Sequence, residues 1–391
     1  MPLRDNSAAL DLPLPGADAR AHSERLIGLI VDRIAAQGGV IGFDDYMQAV
    51  LYEPGLGYYA AAMPKFGEQG DFVTAPEISS LFGYCMARQI DDLVARGCVP
   101  AVLEFGAGSG SLCAQILQAS PGLGSYRILE PSADLKHRQR DYLQRQLPAE
   151  LFARIEWLDR LPHGFEGIVL ANEVLDAMPV RLVVRRQDWL ELGVAYDGRG
   201  FVWQTMPAGV EVLQAISVIE SRLGPLAEGY RSELNLNYRP WMRALADSCA
   251  RAVVLIIDYG YEQRHYYHPS RRQGTLSCHY RHRVHDDPFV YPGLQDITAF
   301  VDFDACADAA EDSGFDVMGM AEQGRFLLAN GLLDEAGNRS AGADTIAQLA
   351  ISQQVATLSL PQEMGEKFKV LALQKDLALD MPALRRDSVY G

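Results

Sequence analysis

The sequence predicts an α/β fold: a doubly wound, mostly parallel sheet with a helical N-terminal region and an inserted α+β subdomain. Three observations predict it. The segment Val102-Leu103-Glu104-Phe105-Gly106-Ala107-Gly108-Ser109-Gly110-Ser111-Leu112 passes from an apolar run through three alternating glycines into a helix-compatible stretch. That order of strand, tight turn and helix N-terminus can cradle a nucleotide-like ligand. Beyond it, short apolar runs alternate with helical segments, as in a parallel sheet built from crossover units. The runs end on polar or acidic residues, namely Glu104, Glu130, Asn172-Glu173 and Asp258-Tyr259-Gly260, and open sheets bind ligands at such strand ends.

Taken in order, residues 1–20 read as a flexible tail, and Ser23 is expected to cap a helix. In that helix Leu26, Ile27, Ile30, Val31 and Ile34 recur at helical spacing until Gly38-Gly39. A second helix is expected from Phe43 to Leu51. The stretch from Glu53 to Pro76 is rich in Gly, Pro and aromatic residues and reads as an ordered loop. A helix from Ile78 to Ala95 completes the N-terminal region, 21–96. The core takes 97–180 and 251–375, with strands expected at Ala101 to Glu104, Tyr126 to Leu129, Arg154 to Leu158, Gly167 to Leu170 and Ala252 to Ile257. Two final strands follow, Phe315 to Met320 and Phe368 to Leu373, and Ser132 is expected to cap the helix after the second strand. The insertion, 181–250, should open with an antiparallel hairpin from Arg181 to Gln204 turning at Asp197-Gly198, then continue as helices. Residues 376–391 read as a C-terminal tail.

The chain has 391 residues, 48% of them hydrophobic, enough to bury a full core. Its 35 Lys and Arg stand against 51 Asp and Glu, a net charge of -16 that disfavours nucleic acid as a partner. Neither a signal or transit peptide nor a membrane-spanning run is read in it, so no stable membrane association is expected. The six cysteines are scattered without a CxxC pair, which suits thiols in a cytoplasm.

The glycine turn narrows the ligand. A dinucleotide fingerprint beginning at Gly106 would need its third glycine at position 111, where Ser111 sits. Gly110 instead completes a Glu-x-Gly-x-Gly-x-Gly spacing that resembles class I S-adenosylmethionine methyltransferases. Glu130 lies at the right distance to accept both ribose hydroxyls, the alternative being a solvated or capping Glu before Pro131. Asp159 is a weaker candidate for the adenine amino group. In Leu170-Ala171-Asn172-Glu173-Val174-Leu175-Asp176-Ala177-Met178-Pro179, Glu173 and Asp176 are spaced to share one side of a helical turn. Paired carboxylates suit a guanidinium acceptor, which they orient and help to deprotonate. The competing account is helix capping by Asn172, with both acids favourable to the dipole. His279, His282 and His285 recur every third residue, but no second ligand cluster accompanies them, so no metal is expected and a solvated or substrate-facing loop is preferred. Gly57-Tyr58-Tyr59 reads as either packing or pocket lining.

Several segments together resemble one family. They are Tyr52-Glu53-Pro54-Gly55-Leu56-Gly57-Tyr58-Tyr59, Gly70-Asp71-Phe72-Val73-Thr74-Ala75-Pro76-Glu77-Ile78-Ser79, the glycine turn, Asn172-Glu173 through Pro179, and Ile257-Asp258-Tyr259-Gly260. Asp296-Ile297-Thr298, Val301-Asp302-Phe303 and Met364 through Leu371 join them. The chain is similar to the MidA-like class I methyltransferases, as a bacterial member of a family whose mitochondrial members act in respiratory complex I assembly. The resemblance implies a Rossmann-like core, S-adenosyl-L-methionine as cofactor and protein arginine methylation, the acceptor being an arginine of a complex I subunit in the mitochondrial relatives. It also implies that Glu104, Gly106, Gly108 and Glu130, with Gly110 in the same turn, hold the cofactor. Glu173 and Asp176, beside Asn172, would face the acceptor, and Asp71, Thr74 and Glu77 would close the site. Ser80, Tyr84 and Phe105-Gly106-Ala107 depart from the family's usual residues. A small-molecule methyltransferase and a non-catalytic, cofactor-binding assembly factor remain alternatives, and a homodimer is left open.

Overall fold

A computed structural model describes residues 10–60 and 74–384. The chain forms two compact units, each of three segments. One takes in Val73–Leu175, Tyr238–Tyr261 and Phe303–Gly391; the other takes in Met1–Phe72, Asp176–Asn237 and Glu262–Asp302. These lines differ from the expected division. The helix after the aromatic loop joins the sheet, and the insertion after residue 175 joins the N-terminal helices instead of standing as a subdomain of its own.

The first unit holds a parallel sheet. Its strands are β1 Ala101–Phe105, β2 Ser125–Leu129, β3 Ile155–Leu158, β4 Phe165–Asn172, β5 Cys249–Tyr261, β6 Asp316–Glu322 and β7 Phe368–Lys375, in the order β6-β7-β5-β4-β1-β2-β3. Strands β1 to β5 pair in parallel, while β7 runs antiparallel to both β5 and β6. The chain leaves β1 toward β2 and β3, then returns to β4 on the other side, so the topological switch point lies between β1 and β4. Every residue of β1 is buried, and so is the run Ala252–Ile257 of β5, as expected for strands covered on both faces. Val102, Ile168, Leu170, Val253 and Leu255 pack with Leu112, Ile116 and Leu117 in one core.

Three helices of this unit matter below: α1 Ser80–Ala95, α2 Ser111–Ala119 and α3 Ala133–Gln146. Ser79 Oγ accepts the Leu81 N–H at 3.1 Å and caps α1, which a separate turn, Ala75–Ile78, precedes. The helix expected from about Ile78 to Ala95 thus begins two residues later, at Ser80, and ends where predicted. Ser132 Oγ accepts the Leu135 N–H at 3.3 Å, as its position before α3 predicts. The expected C-terminal tail is ordered at its start, where Met381, Ala383 and Leu384 are buried; residues 385–391 lie outside the described residues.

The second unit is antiparallel. Its N-terminal helix spans Ala17–Ala36, so it begins inside the expected tail, and Ser23 lies within it, not at its cap. The Ser23 hydroxyl donates instead to the Pro292 carbonyl at 2.8 Å. Leu26, Ile30 and Ile34 pack against Phe43, Tyr46 and Val50 of the helix Phe43–Tyr52. The expected hairpin is a three-stranded meander, Arg181–Arg185, Trp189–Tyr196 and Phe201–Pro207, extended by Val40–Ile41 and Arg231–Leu234. Its turn sits where predicted: Asp197 Oδ1 accepts the N–H groups of Arg199 and Gly200, and Gly198 has φ of 85°. The histidine segment is a β-hairpin too, Ser277–Tyr280 with Arg283–His285, turning through left-handed Arg281 and His282.

Candidate active site

Four strand ends and one glycine turn build the site of the parallel-sheet unit. Between β1 and α2 the chain must reverse within six residues, and Gly106, Gly108 and Gly110 all take positive φ, at 57°, 54° and 88°. L side chains are strained there, so alternating glycines are what this turn requires. The Gly106 N–H donates to the Leu129 carbonyl at 3.2 Å and that of Gly110 to the Ala107 carbonyl at 2.7 Å. From the other side, Ser111 Oγ and Gln115 Nε2 donate to the Pro76 carbonyl at 3.2 and 2.7 Å.

Glu130, one residue past β2, is buried; it accepts the Ser132 N–H at 2.9 Å and Gln139 Nε2 at 3.3 Å. Gln139 is the residue that sequence reasoning missed. Its fully buried amide also donates to the Gly108 carbonyl at 3.1 Å and accepts Trp157 Nε1–H at 3.0 Å. One side chain thus ties the glycine turn, the acid after β2 and strand β3 together. The signal was present in the sequence, since Gln139 interrupts the inward row Leu135, Gln139, Leu143 of α3.

Glu104 stands in the unit's interior. It is 2% exposed and accepts the Tyr126 hydroxyl at 2.9 Å, and burial pushes its carboxyl up to about 8. It is neutral at pH 7. Asp159 is at the opposite extreme, its side chain 87% exposed and ion-paired with Lys136, which holds its carboxyl below the usual value. Thr74 and Glu77 are bound to each other: the Thr74 N–H donates to Glu77 Oε2 at 3.5 Å, a capping-box contact at the turn Ala75–Ile78. Asp71 lies outside the described residues.

The segment after β4 is not helical. Asn172 ends the strand, Glu173 takes φ of 52°, and bends and a turn run to Met178. The helical turn expected to set Glu173 beside Asp176 is therefore absent. The cause is Asp258, fully buried on β5: its Oδ2 accepts the Val174 and Leu175 N–H groups at 3.2 and 2.9 Å, and its Oδ1 accepts that of Tyr259 at 2.9 Å. These bonds take the amides that a helix start would present, and the Glu173 N–H goes to the Ile257 carbonyl at 2.8 Å. Asn172 Nδ2 donates to Glu173 Oε1 at 3.3 Å, while Asn172 Oδ1 is buried with no hydrogen-bond partner among the described residues. Asp176 is the first residue of a segment of the antiparallel unit, where its carbonyl accepts the Ala299 N–H at 3.0 Å. No group of three or more His, Cys, Asp or Glu among the described residues could hold a metal ion.

A sequence family described as S-adenosyl-L-methionine-dependent methyltransferase matches residues 86–321, more than half of the chain. The chain belongs to this family. A crystal structure from Burkholderia thailandensis, bound to S-adenosyl-homocysteine, is 43% identical, covers 96% of this methyltransferase with 98% of its own chain, and superposes with a TM-score of 0.90. Among curated proteins, the Drosophila melanogaster "Protein arginine methyltransferase NDUFAF7 homolog, mitochondrial" is 29% identical over 92% of this chain and 87% of its own. The Mus musculus "Protein arginine methyltransferase NDUFAF7, mitochondrial" is 29% identical over 86% and 81%.

The protein is an S-adenosyl-L-methionine-dependent methyltransferase with a class I, Rossmann-like core. Its own geometry fits the cofactor. The switch point carries a turn free of Cβ atoms at positions 106, 108 and 110, a buried carboxylate after β2, and an orphan amide oxygen on Asn172 at the end of β4.

Proposed function

We propose that this methyltransferase modifies an arginine side chain of a protein acceptor. Glu173 is the observation that carries the reading. A left-handed φ on a non-glycine residue costs about 1–3 kcal/mol and persists only where the surroundings impose it, often at functional sites. Here Asp258 and the Ile257 carbonyl fix the backbone on both sides, and Asn172 steers the carboxylate. In this reading Gly106, Gly108, Gly110 and Glu130 hold the cofactor, whose sulfonium supplies an electrophilic methyl group. Glu173 accepts hydrogen bonds from the guanidinium fork and orients one nitrogen lone pair for in-line attack. As that nitrogen gains carbon it sheds a proton, and a carboxylate in contact with it stabilises the departing charge. The arginine methyltransferase names of the curated relatives support this acceptor.

The reading extends to a protein partner of the respiratory-complex type and to a reducing cytoplasm, the latter supported by six cysteines that are all free and buried. Labelled S-adenosylmethionine added to an extract of a strain lacking the protein, together with purified enzyme, should mark a protein at arginine. Mass spectrometry of the same strain against its parent should find that methyl group missing. Label confined to small molecules would sink the reading, and Glu173→Gln should lower protein labelling about a hundredfold.

A further inference from the structure

The helix Ala17–Ala36 turns Leu26, Ile27, Ile30 and Ile34 into the core of the antiparallel unit. Its opposite face is open to solvent, where Glu24, Arg25, Gly28, Leu29, Asp32 and Arg33 line a shallow groove. Gly28 stands in mid-helix, where glycine is among the poorest helix formers, yet a Cβ there would meet no atom of the described residues within 4 Å. No close approach inside the unit calls for glycine at that position. The four charged residues of the groove sum to zero in a chain of net charge -16, and along the helix they read acid, base, then acid, base. Arg33 reaches Glu53 at 2.5 Å, but its side chain is still 42% exposed, so its guanidinium fork retains donors for a second acceptor.

We propose that this face is a homodimer interface, on which the same helix of a second copy of the chain lies antiparallel about a two-fold axis between Gly28 and Leu29. A two-fold contact uses one surface twice, so that surface must complement itself. The order of charges on this helix does so. The axis brings Glu24 and Arg25 of one protomer to the height of the partner's Asp32 and Arg33, and the match repeats at the other end. Each end then joins two cations to two anions, and the arginines are long enough to bridge to the acids of the other chain. At the centre Gly28 lets the two backbones approach closely, and Leu29 packs across the gap. Contact on a patch of zero net charge also limits the repulsion between two chains that each carry -16. A single helix pair buries less than the roughly 1,600 Å² of a standard interface, so the dimer is weak, with a Kd of about 1–100 μM.

Sedimentation of the full chain should show a species of twice 43.1 kDa that grows with concentration up to about 0.1 mM. Arg25→Glu sets an acid against the partner's Asp32, and Asp32→Arg sets a cation against the partner's Arg25. Either change alone should raise the dimer Kd about tenfold or more. Mixed in equal amounts, the two variants should pair with each other at wild-type strength or better, because two acids on one chain then face two cations on the other. Gly28→Gln, a better helix former that fills the close approach, should weaken the dimer about tenfold or more without lowering the melting temperature. Melting temperatures of the charge variants separate lost pairing from lost folding. A wild type still monomeric at about 0.1 mM, a dimer that Arg25→Glu and Gly28→Gln leave intact, or charge variants that fail to pair when mixed would each overturn the interface.

Discussion

Glu104, on β1, and Glu173, just past the neighbouring β4, are two carboxylates that the fold treats in opposite ways. Glu173 follows β4 on a strained backbone with its carboxylate tied to Asn172, so Glu173→Gln should cut methyl transfer about a hundredfold while S-adenosyl-homocysteine affinity changes less than about twofold. Glu104 lies on β1 inside the core, and its carboxyl moves from the ordinary 4.5 to about 8. A carboxyl whose folded value is raised binds its proton more tightly in the native state, so rising pH favours unfolding between the two values. Its contribution is whole below about pH 4.5, declines up to about pH 8, and is level beyond. Melting temperatures of wild type and Glu104→Gln, without cofactor, should therefore converge or cross toward alkaline pH in the wild type's disfavour. Parallel curves across that window would refute the assignment.

Among the elements, α3 is tied to the glycine turn through one side chain. Gln139 uses both ends of its amide, so Gln139→Ala strands the Trp157 N–H and releases the Gly108 carbonyl and Glu130 together. Each buried group left unpaired costs about 1–3 kcal/mol. Calorimetry should find S-adenosyl-homocysteine bound at least about tenfold more weakly, and unchanged affinity would show that the turn holds itself. The strand–turn–helix element itself was legible because glycine spacing and left-handed φ are local properties of the chain. The segment after β4 was not. Spacing alone makes Glu173 and Asp176 neighbours on a helix, but Asp258, more than eighty residues later, captures the amides that would begin one.

At the scale of the molecule, the two units are each discontinuous in sequence, and the residues proposed to hold the cofactor, Gly106, Gly108, Gly110 and Glu130, all belong to the parallel-sheet unit. S-adenosyl-homocysteine at a hundred times its Kd should stabilise the native state by about 2.7 kcal/mol, seen as a shift of the denaturation midpoint. NAD should give no shift, as Ser111 predicts. Most strands of the sheet, the meander turn at Asp197-Gly198, the cap at Ser132 and the glycine turn at 106–110 follow from the chain's local sequence alone. Each depends on residues within a few positions of one another, through apolar periodicity, turn chemistry or backbone sterics. Only the tertiary structure decided which segments share a core, that Ser23 is a buried donor inside a helix, and that Asp176 belongs to a different unit from Glu173. It also decided that the Tyr59 hydroxyl donates to Asp296. Those outcomes depend on partners tens to hundreds of residues away, whose burial and hydrogen bonds override local preference and leave no periodic trace in the chain.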